Sequence, residues 1–370
     1  MKKQLFLAAI AIMTLCLASC DSEPRSVELS YEEAVERSGG YVAQNDVEVP
    51  WNDCHTPLQY AYLMSDYDQI DKFAFGNLAL SDPKPIVLTF DNKEHKQLEI
   101  SKYQDFRDSA IYDIAEDSSF CVYNLEVGSD YYYRPYQHDH PVVHFKTLDL
   151  APRILKIDGT SNIRDIGGYV NSDGKRIKQG LYIRGAEWNI GNNESGECVW
   201  KVTEEGQKVI RQLGIKTEID LRMEGKEACR TKDDKFLDIN PVLIPIDYNN
   251  ASFYMDYRKD ELRDVFNALT TTANYPVYLH CRIGTDRTGI SSFLLECLLG
   301  MKKEDIYRDY LMSNFDKVSG SRKARTITHY FNYLEKNSKG DTIAEHAYNY
   351  LVELGIPKAQ LDATRAMFLD

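Results

Sequence analysis

The sequence predicts an α/β fold: a mostly parallel central sheet flanked by helices, preceded by a β-sandwich. Three observations carry this. From Arg153 onward, short apolar runs alternate with amphipathic helical stretches, the order that builds a parallel sheet with helices on both faces. From about Ile86 to Leu148, short alternating apolar runs are separated by turn residues, the spacing of an antiparallel sandwich. Finally, Cys281 sits six positions before Arg287, between an apolar run and a helical repeat.

The chain opens on a targeting pattern. Lys2 and Lys3 precede an apolar core, Leu5 to Leu17, too short to span a bilayer. It ends Leu17-Ala18-Ser19-Cys20, and a polar stretch from Asp21 to Arg25 follows. This resembles a bacterial lipobox. Residues 1–20 are then a lipoprotein signal peptide, and Cys20 is lipidated and becomes the new N-terminus. The alternative is an ordinary secretory signal with a chance cysteine. The lipid reading places the protein outside the cytoplasm, anchored to a bacterial membrane at the periplasmic face or cell surface. Without Lys2 and Lys3, 42 basic residues face 57 acidic ones, so the net charge moves from −13 to −15. That sign argues against a nucleic-acid partner and requires local cations to draw in any anionic substrate.

Residues 21–150 form the predicted N-terminal domain. Tyr31 to Ser38 reads as helix, whereas Trp51 to Ile70 mixes aromatics and acids without a clear period. Strands follow at Ile86 to Phe90, Gln97 to Ile100, Phe120 to Leu125, Tyr131 to Tyr136 and Val142 to Phe145. The run Leu125-Glu126-Val127-Gly128-Ser129-Asp130-Tyr131 resembles the tyrosine corner of fibronectin type III and immunoglobulin-like domains.

Residues 151–370 form the predicted catalytic domain. Ile177 to Ile183 reads as strand, Thr203 to Leu213 as a helix closed by Gly214, and Lys216 to Leu221 as strand. Val242 to Ile246 is a further strand, Glu261 to Leu269 a helix, and Pro276 to Leu279 the strand before the Cys281 loop. Ile290, Phe293, Leu294, Cys297 and Leu298 then recur at helical spacing up to Gly300. The tail from Glu304 is helical in pattern and holds a basic stretch from Lys317 to Arg325. Ligands on such sheets bind at the carboxyl ends of strands, so Asp220, Asp247 and Cys281 are expected over one crevice.

The loop reads His280-Cys281-Arg282-Ile283-Gly284-Thr285-Asp286-Arg287-Thr288-Gly289. A cysteine and an arginine at this spacing, between a strand and a helix, suit attack of sulfur on phosphorus. Cys281 is the thiolate nucleophile. The backbone N–H groups of Arg282, Ile283, Gly284 and Thr285 wrap around phosphoryl oxygens, and Arg287 closes the ring with a bidentate fork. The helix N-terminus favours both the phosphate and the thiolate. Of the eight cysteines, six remain beyond the leader; Cys54 with Cys121 is a possible bridge, although spacing alone does not assign pairing. No CxxC pair or Cys/His grouping has metal spacing, and no cofactor is implied.

Three blocks now support a resemblance. They are Ser161-Asn162-Ile163-Arg164-Asp165-Ile166-Gly167-Gly168-Tyr169 followed by Gly180 to Arg184, then Ile219-Asp220-Leu221-Arg222 with Glu227, then His280 to Gly289. Together and in this order they resemble the bacterial tyrosine/dual-specificity phosphatases of the cysteine-dependent superfamily, especially those related to the secreted mycobacterial tyrosine phosphatase B. The resemblance implies a phosphomonoester hydrolase acting on a phosphorylated protein, peptide or small phosphate ester. The family loop carries lysine where this chain has Thr285, which weakens the link to inositol-phosphate and phosphoinositide substrates. Arg282 supplies a different cation, facing either the phosphate or a carboxylate. Asp286 stands where the family places an acid/base aspartate, and Asp247 is its rival. Thr288 eases departure of the sulfur and His280 orients the loop. Asp220 holds Arg222 or loop backbone, while Asn162, Arg164 and Asp165 either brace the site or touch substrate. An inositol-phosphate phosphatase, or a surface binding protein on a phosphatase scaffold, is the alternative. Oligomeric state is not implied.

Overall fold

The computed structural model describes residues 48–65, 80–90, 96–114, 118–136, 140–223, 228–229, 236–247, 254–318 and 320–369. The expected leader with Cys20, and the helix at Tyr31 to Ser38, lie outside the described residues.

Helix α1, Pro57–Met64, begins with a reciprocal cap. Thr56 Oγ1 accepts from the Gln59 N–H at 3.3 Å, and Gln59 Oε1 accepts from the Thr56 N–H at 2.9 Å. Its Leu58, Ala61 and Tyr62 are buried in the core of the C-terminal α/β layer, not against the strands that follow in sequence.

Six antiparallel strands come next. β1 (Ile86–Thr89) pairs with β4 (Ser119–Val122), while β2 (Gln97–Ser101), β3 (Ala110–Asp113), β5 (Asp130–Pro135) and β6 (Val143–Lys146) form a sheet ordered β3-β2-β5-β6. Both sheets contribute to one apolar cluster, with Ile86 and Leu88 from β1, Leu98 and Ile100 from β2, and Tyr131 and Tyr133 from β5. The alternation that buries Tyr131 and Tyr133 leaves Tyr132 half-buried between them. The Glu126 N–H donates to Tyr131 Oη at 2.9 Å. β3 carries no apolar run and was not expected.

The α/β layer holds a six-stranded sheet. In chain order its strands are β7 (Arg153–Ile154), β8 (Arg164–Asp165), β9 (Tyr182–Gly185), β12 (Thr217–Asp220), β13 (Asn240–Leu243) and β14 (Val277–His280). A hairpin of β10 (Asn189–Asn192) and β11 (Cys198–Trp200) stands apart. The spatial order is β13-β12-β14-β9-β8-β7, parallel across the first four and antiparallel at β8 and β7. Strand β9 starts at Tyr182, later than expected, because Gly180 at φ +80° makes a turn first. Strand β13 ends at Leu243, since Pro245 has no N–H to extend the ladder.

Helices α2 (Glu204–Gln212), α3 (Lys259–Leu269), α4 (Asp286–Leu298), α5 (Lys303–Met312), α6 (Ala324–Asn337), α7 (Ile343–Glu353) and α8 (Lys358–Leu369) complete the layer. Thr203 caps α2 by accepting from the Gly206 N–H at 3.2 Å, and Gly214 at φ +65° follows its end. Helix α4 is buried at every position from Arg287 to Leu298. It runs through the middle of the molecule, so its first turn is fixed from all sides. The expected Cys54–Cys121 bridge is not formed: Cys54 is buried, Cys121 is exposed on β4, and both are free. Cys198 instead bonds Cys229, with Cα atoms 5.3 Å apart, tying β11 to the segment after β12.

Candidate active site

Strand β14 delivers the site. It is buried at every position and flanked in parallel register by β12 and β9. The chain leaves the sheet at Cys281, turns through Arg282 to Thr285 and enters α4 at Asp286. Gly284 has φ +69°, and a Cβ there would lie 2.3 Å from Gly185 O, so the turn requires glycine.

Four successive carbonyls of the turn are held from outside. Cys281 O accepts from His280 Nδ1 at 3.0 Å, Arg282 O from the Glu187 N–H at 3.1 Å, Ile283 O from Asn162 Nδ2 at 2.9 Å and Gly284 O from Arg184 Nη2 at 3.0 Å. In a planar trans peptide the N–H points opposite to the C=O. The N–H groups of Arg282, Ile283, Gly284 and Thr285 therefore turn away from these braces, toward the space the loop encloses. Successive N–H groups beside a helix N-terminus form an anion site. Thr285 Oγ1 is spent on Ile283 O at 3.3 Å. Arg282 is exposed at the mouth.

Arg287 lies across this cradle, buried, with Nη1 donating to Leu221 O and Ile246 O, each at 3.1 Å. The chain segments that leave β12 and β13 thus converge on one guanidinium. Cys281 is 2 % exposed. Burial pushes its thiol up, but Arg287 and hydrogen bonds from the Thr288 hydroxyl and N–H pull it down further, leaving it below its ordinary value. Thr288 Oγ1 is buried and has no other hydrogen-bond partner.

His280 donates from both ring nitrogens, Nδ1 to Cys281 O and Nε2 to Glu218 Oε1 at 2.9 Å. Burial pushes its pKa down, yet Asp220 and Glu218 raise it more, so the net direction is up. Asp220 does not face the crevice as expected. It is fully buried, and its carboxylate accepts from Arg222 Nε at 2.9 Å and Nη2 at 2.7 Å. Burial pushes Asp220 up, but His280 and Arg222 bring it below the usual carboxylate range. Arg222 continues to Glu187 Oε2 at 3.1 Å and Asn189 Oδ1 at 3.0 Å.

The first block sits behind the loop. Besides Asn162 on Ile283 O, Arg164 donates to Asp309 Oδ1 at 2.6 Å and Asn162 Oδ1 at 2.7 Å, and Arg184 donates to the other Asp309 oxygen. Asp165 accepts from the Gly167 N–H at 2.8 Å and from the Gly180 N–H. All these bonds run inward to protein. The two candidate acids differ. Asp247 is 37 % exposed and pairs with Arg258 Nη2 at 3.2 Å, one residue after the Ile246 carbonyl that receives Arg287. Asp286 accepts from Arg322 at both oxygens, Nε at 2.8 Å and Nη2 at 2.7 Å.

Arg184, Glu187, Glu218, Asp309 and Arg322 were assigned no role from sequence. Arg184 had a signal, a charge near the end of a buried run, and Arg322 lay in the basic stretch; Asp309 had none. Among the described residues two clusters bring together metal-ligand types, Asp53-Cys54-His55 and Glu218-Asp220-His280. In each the histidine is hydrogen-bonded at both ring nitrogens, His55 to Asp53 Oδ1 at 2.7 Å and Pro152 O at 2.9 Å.

Comparisons with known proteins find relatives of part of this chain. A tyrosine-protein phosphatase of Nostoc commune is 26% identical over 132 residues, covering 30% of this chain and 45% of that protein. A putative tyrosine-protein phosphatase of Cupriavidus necator is 26% identical over 188 residues, covering 43% and 63%. The chain thus spans less than two thirds of the length of either relative. Among solved structures, Pseudomonas aeruginosa TpbA aligns at 16% identity with a TM-score of 0.27, covering 56% of this chain and 89% of that one. A cysteine-to-serine variant of TpbA in complex with pTyr aligns at 17% identity and TM-score 0.26, covering 40% and 76%. A family model described as the tyrosine phosphatase family matches residues 155–369. The match runs from just after β7 to the last residue of α8, more than half of the sequence, and the chain belongs to the tyrosine phosphatase family.

Proposed function

We propose that the protein is a metal-independent phosphomonoester hydrolase that works through a cysteinyl-phosphate, with phosphotyrosine as its main substrate and phosphoserine as a second. One observation carries the reading: four consecutive loop carbonyls are held outward beside a thiol set below its ordinary value, so four N–H groups converge where a phosphoryl group meets that thiol.

In the first step Cys281 Sγ attacks phosphorus, the S–P bond forms and the ester O–P bond breaks. The leaving oxygen takes a proton from a carboxylic acid, Asp286 in this reading, with Asp247 at the rim as the rival. Arg287 and the loop N–H groups hold the equatorial oxygens as their charge redistributes. Water then attacks phosphorus, gives its proton to the carboxylate, and the S–P bond breaks to return the thiolate. The burial of Cys281 favours phosphotyrosine, whose aryl ring carries the phosphorus far from the peptide backbone. The spending of Thr285 Oγ1 inside the loop, where a lysine would reach a second phosphate, counts against an inositol phosphate.

The test is turnover of a phosphotyrosine peptide, a phosphoserine peptide and an inositol phosphate in the presence of a chelator. The expected order is tyrosine, then serine, then inositol phosphate, with vanadate inhibition and at least a thousandfold loss in Cys281→Ser. Retained activity in Cys281→Ser, or activity on the inositol phosphate alone, defeats the reading.

Within the family we place the chain beside the mycobacterial tyrosine phosphatase B group, supported by its three ordered blocks. Within the expected N-terminal region of residues 21–150, we read the strands from Ile86 to Lys146 as a fibronectin- or immunoglobulin-like unit, supported by the shared core of its two sheets and the Tyr131 hydroxyl contact. We place the protein outside the cytoplasm, held by lipid at Cys20, a reading that the Cys198–Cys229 disulfide supports. Fatty-acid labelling that persists in Cys20→Ala defeats the lipid assignment.

A further inference from the structure

Arg322 comes from the segment between α5 and α6, outside the loop. Arg322 is held more closely than a surface charge of the basic stretch would be. Its own N–H donates to Asn314 Oδ1 at 2.6 Å, and Asn314 Nδ2 donates back to Arg322 O at 3.0 Å. Asn314 is fully buried, so the backbone at 322 is clamped on both sides. Nη1 donates to Gly320 O at 2.8 Å, and the side chain is 18 % exposed. The remaining fork edge meets Asp286 with both branches in good geometry. Tyr310 Oη reaches the same carboxylate at 3.4 Å. Asp286 in turn opens α4, one residue before Arg287.

We propose that Arg322 is the positioning residue for Asp286, holding it by two branches while it accepts a proton and by one branch while it donates one. The inference rests on the phosphatase reading above. A proton on one carboxyl oxygen weakens the bond that this oxygen accepts from a guanidinium, so Asp286 loosens one branch as it takes up a proton. The other branch keeps it beside the reacting oxygen. In the first half-reaction the released oxygen gives its proton to the ester oxygen as the O–P bond breaks and S–P forms, and the fork recloses. In the second, water attacks phosphorus and its proton goes to Asp286; the S–P electron pair returns to sulfur, and the fork opens again. Protons balance over the cycle. Arg322 neither touches the phosphate nor loses its charge. Burial lowers its pKa, but Asp286 raises it more, and Cys281 contributes in the same direction.

The alternative is that the fork merely staples α4 to the 313–322 segment. Two readouts separate them. The first is kcat/KM, which reports steps through phosphoenzyme formation, on a phosphotyrosine peptide against para-nitrophenyl phosphate, whose leaving group departs without a proton. The second is a double-mutant cycle with Asp286→Asn. In Arg322→Ala we expect a loss of about tenfold to a hundredfold on the peptide and only a few-fold loss on the nitrophenyl ester. Arg322→Lys, which keeps the cation without the fork, should fall between. In the Asp286→Asn background, Arg322→Ala should cost nothing further. Equal losses on both esters, or losses that multiply in the double variant, overturn the role of Arg322 while leaving the phosphatase reading intact. A wild-type protein that turns over no phosphomonoester overturns that reading and this one with it.

Discussion

At Cys281 two opposed effects decide the outcome. A thiol with 2 % exposure should be a poor nucleophile, because burial favours the neutral form. Arg287 and Thr288 reverse this by stabilising the thiolate. Thr288 is the cleaner of the two to test, since in the proposed mechanism Arg287 also binds phosphate. Thr288→Ala removes a hydroxyl that has no other hydrogen-bond partner, so little else changes. In the proposed mechanism the reactive form is the thiolate, so kcat/KM should rise with pH as Cys281 loses its proton. Without the hydroxyl that rise comes at higher pH. Departure of sulfur in the second step also slows, by about tenfold if one such bond is worth ~1.4 kcal/mol. A pH–rate profile whose acid limb stays in place would show that the hydroxyl does not set the thiol.

At the scale of elements, the loop holds its shape because other elements grip its carbonyls, and two of the four grips meet at Asp309 on α5. Arg164 from β8 and Arg184 from β9 both pair with it, and each also reaches the loop, Arg184 directly and Arg164 through Asn162. Burial pushes the Asp309 carboxyl up, yet the two arginines pull it down to about 2. Asp309→Asn leaves two buried guanidinium groups short of a charge and should cost about 3–5 kcal/mol in urea unfolding at neutral pH. The folded pKa is depressed, so this stabilisation is present above the ordinary carboxylate pKa and is lost as pH falls through about 2. The gap between wild type and variant should therefore narrow from neutral pH toward pH ~3; a gap that stays constant would count against the assignment. This keystone also shows what a sequence can reveal. Local signals were legible: the helix read over Thr203 to Leu213, the Gly214 and Gly300 stops, the apolar run of β14 and the Cys281-to-Arg287 spacing. Partners far along the chain were not. Asp309 meets Arg164 across 145 positions, Arg322 meets Asp286 across 36, and Cys198 finds Cys229 rather than leaving Cys54 to pair with Cys121. Such pairings follow from the packed geometry, and no periodicity encodes them. β3 was missed because Ala-Ile-Tyr-Asp has no apolar run to mark it.

At the scale of the whole molecule, α1 packs in the α/β core although it precedes the boundary at residue 150, which is read from the change of strand and helix pattern. Leu58, Ala61, Tyr62 and Leu63 of α1 lie in the same core as β14 and α4. Tyr62 Oη donates to Arg308 O at 3.0 Å, and Gln59 Nε2 donates to Leu80 O at 2.9 Å. From there the Leu80 N–H reaches Phe315 O at 2.8 Å, and Ser81 Oγ accepts from the Asn162 N–H at 3.1 Å. Asn162 is itself one of the four grips on the loop, so the early segment is wired to the site through two hydrogen bonds. A fragment beginning at residue 151 loses all of this. Burial of a large apolar side chain is worth about 1.5–3 kcal/mol, so losing α1 removes roughly 4–8 kcal/mol, comparable with the whole stability of many domains. We therefore expect residues 151–370 to melt well below residues 48–370, or not to fold, and to lose kcat/KM through a loosened Asn162. Supplying α1 and residues 80–81 by starting at 48 should restore both. If the two fragments match in melting temperature and turnover, α1 is only a passenger on the α/β core, and the boundary lies where the change of strand and helix pattern places it.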